Sequence, residues 1–169
     1  FVQALIASMG PKKGRAGVVL PTGVLFRGGQ EAAIRQQVLD DDLLEAVIGL
    51  PPNLFYSTSI PTAILVFRAP GTKVPERQNG VLFIDASTRF TKAKNRNVLT
   101  EADIADAVTA YHSKVDADGN SVDPDGDAAL PVRFVPLTEI AANGYDLNIA
   151  RYLRQSSSDA ADLGTLIEA

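Results

Sequence analysis

Cysteine is absent from the chain, which excludes disulfides, thiolate metal centres and cysteine nucleophiles, and suits a reducing compartment. Histidine is nearly absent. His112 stands alone, so neither a histidine metal cluster nor a Ser-His-Asp triad can be assembled, and beside Tyr111 it reads as a solvated or packing residue. No apolar run approaches the roughly 20 residues that span a bilayer. The opening stretch, Phe1 to Met9, has no basic leader and no small-residue cleavage site. These absences predict a cytoplasmic protein with no membrane partner. A basic surplus is missing as well: the formal net charge is −4, and composition by itself leans against nucleic acid. Nor is there a dinucleotide or phosphate-loop fingerprint. Gly28-Gly29 precedes a helix without the Lys-Ser/Thr that phosphate binding wants, and reads as a turn and helix entry, which leaves little for an oxidoreductase.

What is present is an ordinary core-forming composition, 46% hydrophobic and 21% charged over 169 residues, enough for one real core. Residues 1–9 read as a short helix stopped by Gly10-Pro11. Gly17 to Leu20 reads as a buried strand. Gln30 to Leu39 reads as a helix with Ala33, Ile34, Val38 and Leu39 on one face. Further strands are expected over Leu44 to Leu50, Thr62 to Arg68, Gly80 to Ala86 and Pro131 to Val135, with a surface hairpin loop over 69–80. Thr100 caps the clearest helix, with carboxylates in its first turn and Ile104, Val108 and Tyr111 directed at the core. A helical turn is expected at Leu137 to Ile140. The pattern is that of an α/β sheet with an antiparallel edge hairpin.

Three stretches invite chemistry. Asp116 to Asp127 places acidic or amide side chains at calcium-loop positions, but Ser121 replaces the turn glycine and Pro124 interrupts it, so a solvated loop fits better. Arg89, Lys92, Lys94 and Arg96 form the one basic cluster, read either as phosphate contacts on DNA or as a solvated loop. Phe55 and Tyr56 sit on a loop between two apolar strands, where they are either plugs at a strand end or a platform for stacking a flat ring.

Val18-Val19-Leu20-Pro21-Thr22-Gly23-Val24-Leu25-Phe26, the run Leu50-Pro51-Pro52-Asn53-Leu54-Phe55-Tyr56 to Phe67, Phe83-Ile84-Asp85-Ala86-Ser87 and Asn97-Val98-Leu99-Thr100 together carry a resemblance. From about Phe1 to Leu153 the chain resembles the C-terminal part of the catalytic domain in the adenine-specific DNA methyltransferase (modification) subunit of type I restriction-modification systems. The resemblance implies an α/β fold: the second half of a Rossmann-like, S-adenosylmethionine-dependent methyltransferase sheet with an antiparallel hairpin. It implies a partial methyltransferase domain over 1–153 and a flexible tail with a weak helix over 154–169. In such enzymes the target adenine is extruded from the duplex and an aromatic before the last hairpin strand stacks on it. Phe55 holds the matching place, twelve positions before Phe67, with Tyr56 as fallback. Thr22 and Gly23 would border the active-site mouth, or serve only as turn residues.

Two departures matter. The glycine-containing loop that holds the methyl donor has no counterpart here, and the catalytic Asn/Asp-Pro-Pro-aromatic motif is missing, since in Pro51-Pro52-Asn53 the Asn follows the prolines. Both motifs are expected upstream of Phe1, which itself falls in the middle of a helix. The chain is thus expected to be an inactive fragment with no catalytic residue of its own. The intact enzyme would transfer methyl from S-adenosylmethionine to adenine in duplex DNA, alongside a specificity subunit, docked by Tyr145 to Leu153 and the tail, and a restriction subunit. The fragment is expected to self-associate. The rival reading is a non-enzymatic α/β module that scaffolds a DNA-modification complex.

Overall fold

A computed structural model describes residues 1–10, 13–56, 58–122 and 130–153. Its centre is a five-stranded sheet built from β1 (Arg15–Pro21), β2 (Leu44–Gly49), β3 (Thr62–Arg68), β4 (Gly80–Asp85) and, after the two small ribbons introduced below, β9 (Val132–Pro136). The spatial order is β1-β3-β2-β4-β9. β2 and β4 pair in parallel, with Ile48 opposite Ile84, whereas β3 runs antiparallel to β1 and β2, and β9 antiparallel to β4. It follows that β1, β2 and β4 all end at the same edge of the sheet, the edge where open α/β sheets bind ligands. β2, covered on both faces, is buried along its whole length, which is why it reads as a continuous apolar run.

One face is thickly covered. Helices α1 (Val2–Ala7), α2 (Gln30–Asp40), α4 (Leu137–Ala142) and α5 (Ile149–Leu153) pack on Val47, Leu65, Phe67, Val81 and Phe83. The other face carries α3 (Glu101–His112) over Ala46, Ile48, Leu82 and Ile84. The Thr100 cap is a full capping box: its hydroxyl accepts the Asp103 N–H, and the Asp103 carboxylate accepts the Thr100 N–H. Those bonds hold the Asp103 carboxyl below the usual carboxylate range.

Several expectations are corrected. The β1 strand is not buried; its residues alternate between exposed and half-buried, because it forms the outer strand of the described sheet. The β2–β3 hairpin lies inside the sheet rather than at its edge. In α2, Ala33 is exposed and the burial falls on Val38 and Leu39. In α3, Ala107 and Ala110 meet the sheet, while Ile104 and Val108 stay 51% and 52% exposed along a groove beside Ile64 and Val66. Tyr111, as expected, is half-buried against the same cluster.

Residues 69–80 are no hairpin loop, since β2 lies between β3 and β4. Nor are they all at the surface. Lys73 is buried, donating to Asp42 and to the Gly80 carbonyl, and Arg77 is buried, donating to the Tyr111 and Ser113 carbonyls. Burial pulls both cations below their ordinary pKa. Nearby, a β-bulge between Leu44 and Ala46 turns Glu45 to the α3 side, where it accepts from Arg68 at 2.7 Å and from the Tyr111 hydroxyl at 2.5 Å.

Two ribbons were not expected: β5 (Thr91–Lys92) with β6 (Asn97–Val98), and β7 (Lys114–Val115) with β8 (Ser121–Val122). In the turn of the second, Asp116 Oδ1 accepts the backbone N–H groups of Asp118 and Asn120, the chemistry of an ordinary Asx turn. The rest of the acidic stretch and the 154–169 tail lie outside the described residues. Among the described residues no group of three His, Cys, Asp or Glu is placed to hold a metal, and no helix is long and apolar enough to cross a membrane.

Helix α5 also escaped the sequence reading. It buries Ile149 and Tyr152 against the sheet. Tyr152 packs 4.7 Å from Phe83 and donates its hydroxyl to the Asp146 carbonyl. Burial pushes its phenol up to about 12, with the Asp146 carboxylate adding to the effect. An unfolded tyrosine ionises near pH 10. The raised value therefore contributes stability that is complete below pH 10 and is lost as pH rises toward 12. The melting temperature is expected to fall more steeply over that window than in Tyr152→Phe, which has no phenol to ionise. Parallel profiles would contradict the burial of this hydroxyl.

Candidate nucleic-acid interface

Three loops meet at the edge where β1, β2 and β4 end. The first follows β1: Thr22–Leu25 forms a short 3-10 turn, and the Thr22 N–H donates to the Pro61 carbonyl at 3.0 Å. That bond ties the first loop to the returning limb of the second. A Cβ placed on Gly23 would lie 2.8 Å from the Arg27 guanidinium, which packs across the turn and also faces Glu31 at 3.7 Å. Thr22 and Gly23 thus sit on the expected rim of the sheet, next to the aromatic loop.

The second loop, residues 50–61, joins β2 to β3. Its base is closed by the Leu50 N–H to the Thr62 carbonyl, and Asn53 turns the chain with a left-handed φ of 58°. Amide side chains tolerate that conformation better than most. Phe55 is 46% exposed and Tyr56 72% exposed. Neither is a buried plug. Phe26 and Ile60, to which the sequence assigns no role, are also exposed on the loops of this edge. Four large apolar side chains held in water on neighbouring loops are unusual for a surface with nothing to bind.

The third loop follows β4 and contains the basic cluster on the β5–β6 ribbon. The structure brings it onto the aromatic loop. The Arg96 guanidinium lies over the Tyr56 ring, 4.5 Å from its centroid, a cation–π contact. Asn97 donates from its backbone N–H to the Asn53 carbonyl and from Nδ2 to the Pro52 carbonyl, both at 2.8 Å. Lys92 and Lys94 are exposed on the ribbon, whereas Arg89 is directed at Asp106 of α3 at 3.9 Å. The four predicted cations therefore divide: two face solvent, one covers Tyr56 and one faces a carboxylate. His112 stays on the far helix end, edge-on to Tyr111.

The arrangement offers an exposed apolar ring on a loop that carries a cationic ribbon, which is what capture of an unstacked base with nearby phosphate contacts requires. A carboxylate also stands at this edge, where Asp85 at the end of β4 accepts the Ser87 N–H. Two observations bear on a methyl donor. Asn53, the polar residue after the prolines, commits its carbonyl to Asn97. The buried side-chain atoms without a partner among the described residues, Thr62 Oγ1 and Arg77 Nη1, belong to opposite edges of the sheet and form no common cradle. Among the described residues, these atoms do not mark out a place for S-adenosylmethionine. The sequence names Asn97 only as part of a run that carries the resemblance and assigns it no role, because an amide in a polar run carries no signal of burial.

Known proteins give the same direction. A methylase subunit of a type I restriction enzyme from Methanocaldococcus jannaschii is 37% identical over 158 residues, covering 91% of this chain and 25% of the relative. Its counterpart from Mycoplasma pneumoniae is 32% identical over 146 residues, covering 86% of this chain and 24% of the relative. Among solved structures, the methyltransferase subunit of a type I restriction-modification system from Streptococcus thermophilus superposes with a TM-score of 0.68 at 39% identity, over 83% of this chain and 26% of that one. The chain spans about a quarter of the length of the relatives it matches. The family model for N-6 DNA methylases matches residues 1–161, and the chain belongs to that family.

Proposed function

We infer that the chain is the base-capturing part of a type I DNA adenine methyltransferase subunit. The intact protein would transfer the methyl group of S-adenosylmethionine to the exocyclic amine of an adenine in duplex DNA. It would do so within a complex that includes a specificity subunit and a restriction subunit. The observation that carries this reading is the docking of the basic ribbon, through Arg96 on Tyr56 and Asn97 on Pro52, onto the loop that holds Phe55 half-exposed at the ligand-binding edge of the sheet. S-adenosylmethionine would supply an electrophilic methyl group. Within this chain, Phe55 receives the extruded base and Lys92 and Lys94 meet backbone phosphates. Thr22 and Gly23 border the opening, with Tyr56 held back by Arg96.

The reading is tested by transfer of labelled methyl to unmethylated duplex, using the full-length protein with its specificity subunit. Incorporation is expected. A complex that binds DNA and incorporates nothing would favour the scaffolding module instead. The phosphate role has its own signature. Each phosphate contact adds roughly 0.9 to the slope of log affinity against log salt. Lys92→Gln with Lys94→Gln should therefore lower that slope by about 2, uniformly across sequences. An unchanged slope would return both lysines to the status of solvated surface.

A further inference from the structure

The loop 50–61 is held at three places by its neighbours. Its returning limb is tied to Thr22 through Pro61, its tip is covered at Tyr56 by Arg96, and its entering limb is tied to Asn97 through Pro52 and Asn53. Of these, Asn97 is the most committed. It is only 9% exposed, and both its backbone N–H and its side-chain amide are spent on the same two adjacent carbonyls of the loop. The buried charged side chains among the described residues, Glu45, Lys73 and Arg77, cluster at the opposite edge of the sheet. A buried amide at the ligand-binding edge, aimed at a loop two residues before an exposed ring, has a clear mechanical consequence. It fixes the backbone from which Phe55 projects.

We propose that Asn97 is a positioning residue for base capture, setting the Phe55 ring by clamping the Pro52 and Asn53 carbonyls. The proposal rests on the base-stacking reading of Phe55 and deepens it. It also gives the β5–β6 ribbon a double role. The same short ribbon carries Lys92 and Lys94 outward and Asn97 inward, so the segment that meets the DNA backbone also sets the loop that takes the base. Base-stacking geometry is demanding, since a misplacement of about 1 Å at a reacting group can cost on the order of a hundredfold in rate. A loop of this length held by few bonds would otherwise sample many positions of the ring.

The test uses the full-length protein with its specificity subunit, an adenine duplex for the rates, and a matched duplex with 2-aminopurine, which has no 6-amino group to methylate, at the target position to report extrusion. Asn97→Ala removes the side-chain clamp, and Asn97→Asp keeps the shape while setting an acceptor against the Pro52 carbonyl. Both variants are expected to lower kcat about tenfold with the KM for DNA changed less than about twofold, and to lower the 2-aminopurine emission that reports extrusion. In addition, Phe55→Ala on the Asn97→Ala background is expected to be no slower than Phe55→Ala alone, because the two act through one ring. A lower melting temperature with kcat per folded molecule and emission unchanged would reduce Asn97 to a structural residue and overturn the proposal. Multiplicative losses in the double variant would overturn it too. A wild-type complex that methylates adenine without any 2-aminopurine signal would overturn the base-stacking reading itself, and the proposal with it.

Discussion

Phe55→Ala in the full-length protein is expected to slow methyl transfer by roughly ten- to a hundredfold while leaving duplex binding within about twofold. Extruding an adenine costs a few kcal/mol. Stacking the freed base on an aromatic ring returns about 1–3 kcal/mol, which at about 1.4 kcal/mol per decade spans the stated range. Phe55 is the ring available for that contact: it is half-exposed on a loop anchored at both limbs. Tyr56 has its face already covered by Arg96 at 4.5 Å, so Tyr56→Ala should cost less than Phe55→Ala. Phe55→Trp, with a larger face, should retain most of the rate. Single-turnover methyl transfer at saturating DNA measures all three. The reverse order, a larger loss in Tyr56→Ala, would exchange the two assignments.

Tyr152→Ala is expected to cost about 3–5 kcal/mol of stability, the range for emptying a fully buried aromatic site. The ring touches Phe83 in the middle of β4, and its hydroxyl serves the Asp146 carbonyl. Truncation leaves both a cavity and an unpaired carbonyl. Tyr152→Phe keeps the ring and loses only the hydrogen bond, for about 1 kcal/mol. For a domain of this size the alanine variant should melt roughly 10 °C lower. Differential scanning calorimetry decides it. Equal shifts in the two variants would place the stabilisation in the hydroxyl rather than in the packed ring.

The strands that line the core were readable because burial on both faces leaves a continuous apolar run. The β2 and β3 segments show this, and β3 is bounded as the residues suggest. The Thr100 helix start was readable for a local reason, since a capping box is written within four residues. Position in the sheet was not readable. An apolar hairpin looks the same whether it lies at an edge or between two other strands, and β1 looked buried because alternation with glycine and valine hides which face is wet. Lys73 and Arg77 were misplaced because their partners, Asp42, Tyr111 and Ser113, are distant in sequence. Helix α5 is too short to show periodicity.

The site divides along the same line. Phe55, Tyr56 and the basic run could be selected from residue type and family resemblance. Their meeting could not, because it depends on the parallel pairing of β2 with β4, which brings the two following loops side by side. Asn97 and the Arg96–Tyr56 contact became visible only with that geometry.

One measurement bears most directly on the base-capturing role. The full-length protein with its specificity subunit would be given labelled S-adenosylmethionine and two duplexes, one unmethylated and one already carrying N6-methyladenine on both strands. Incorporation into the first alone, reduced at least tenfold by Phe55→Ala, is the expected result. Full activity in Phe55→Ala, or no incorporation by a folded complex that binds DNA, would contradict it.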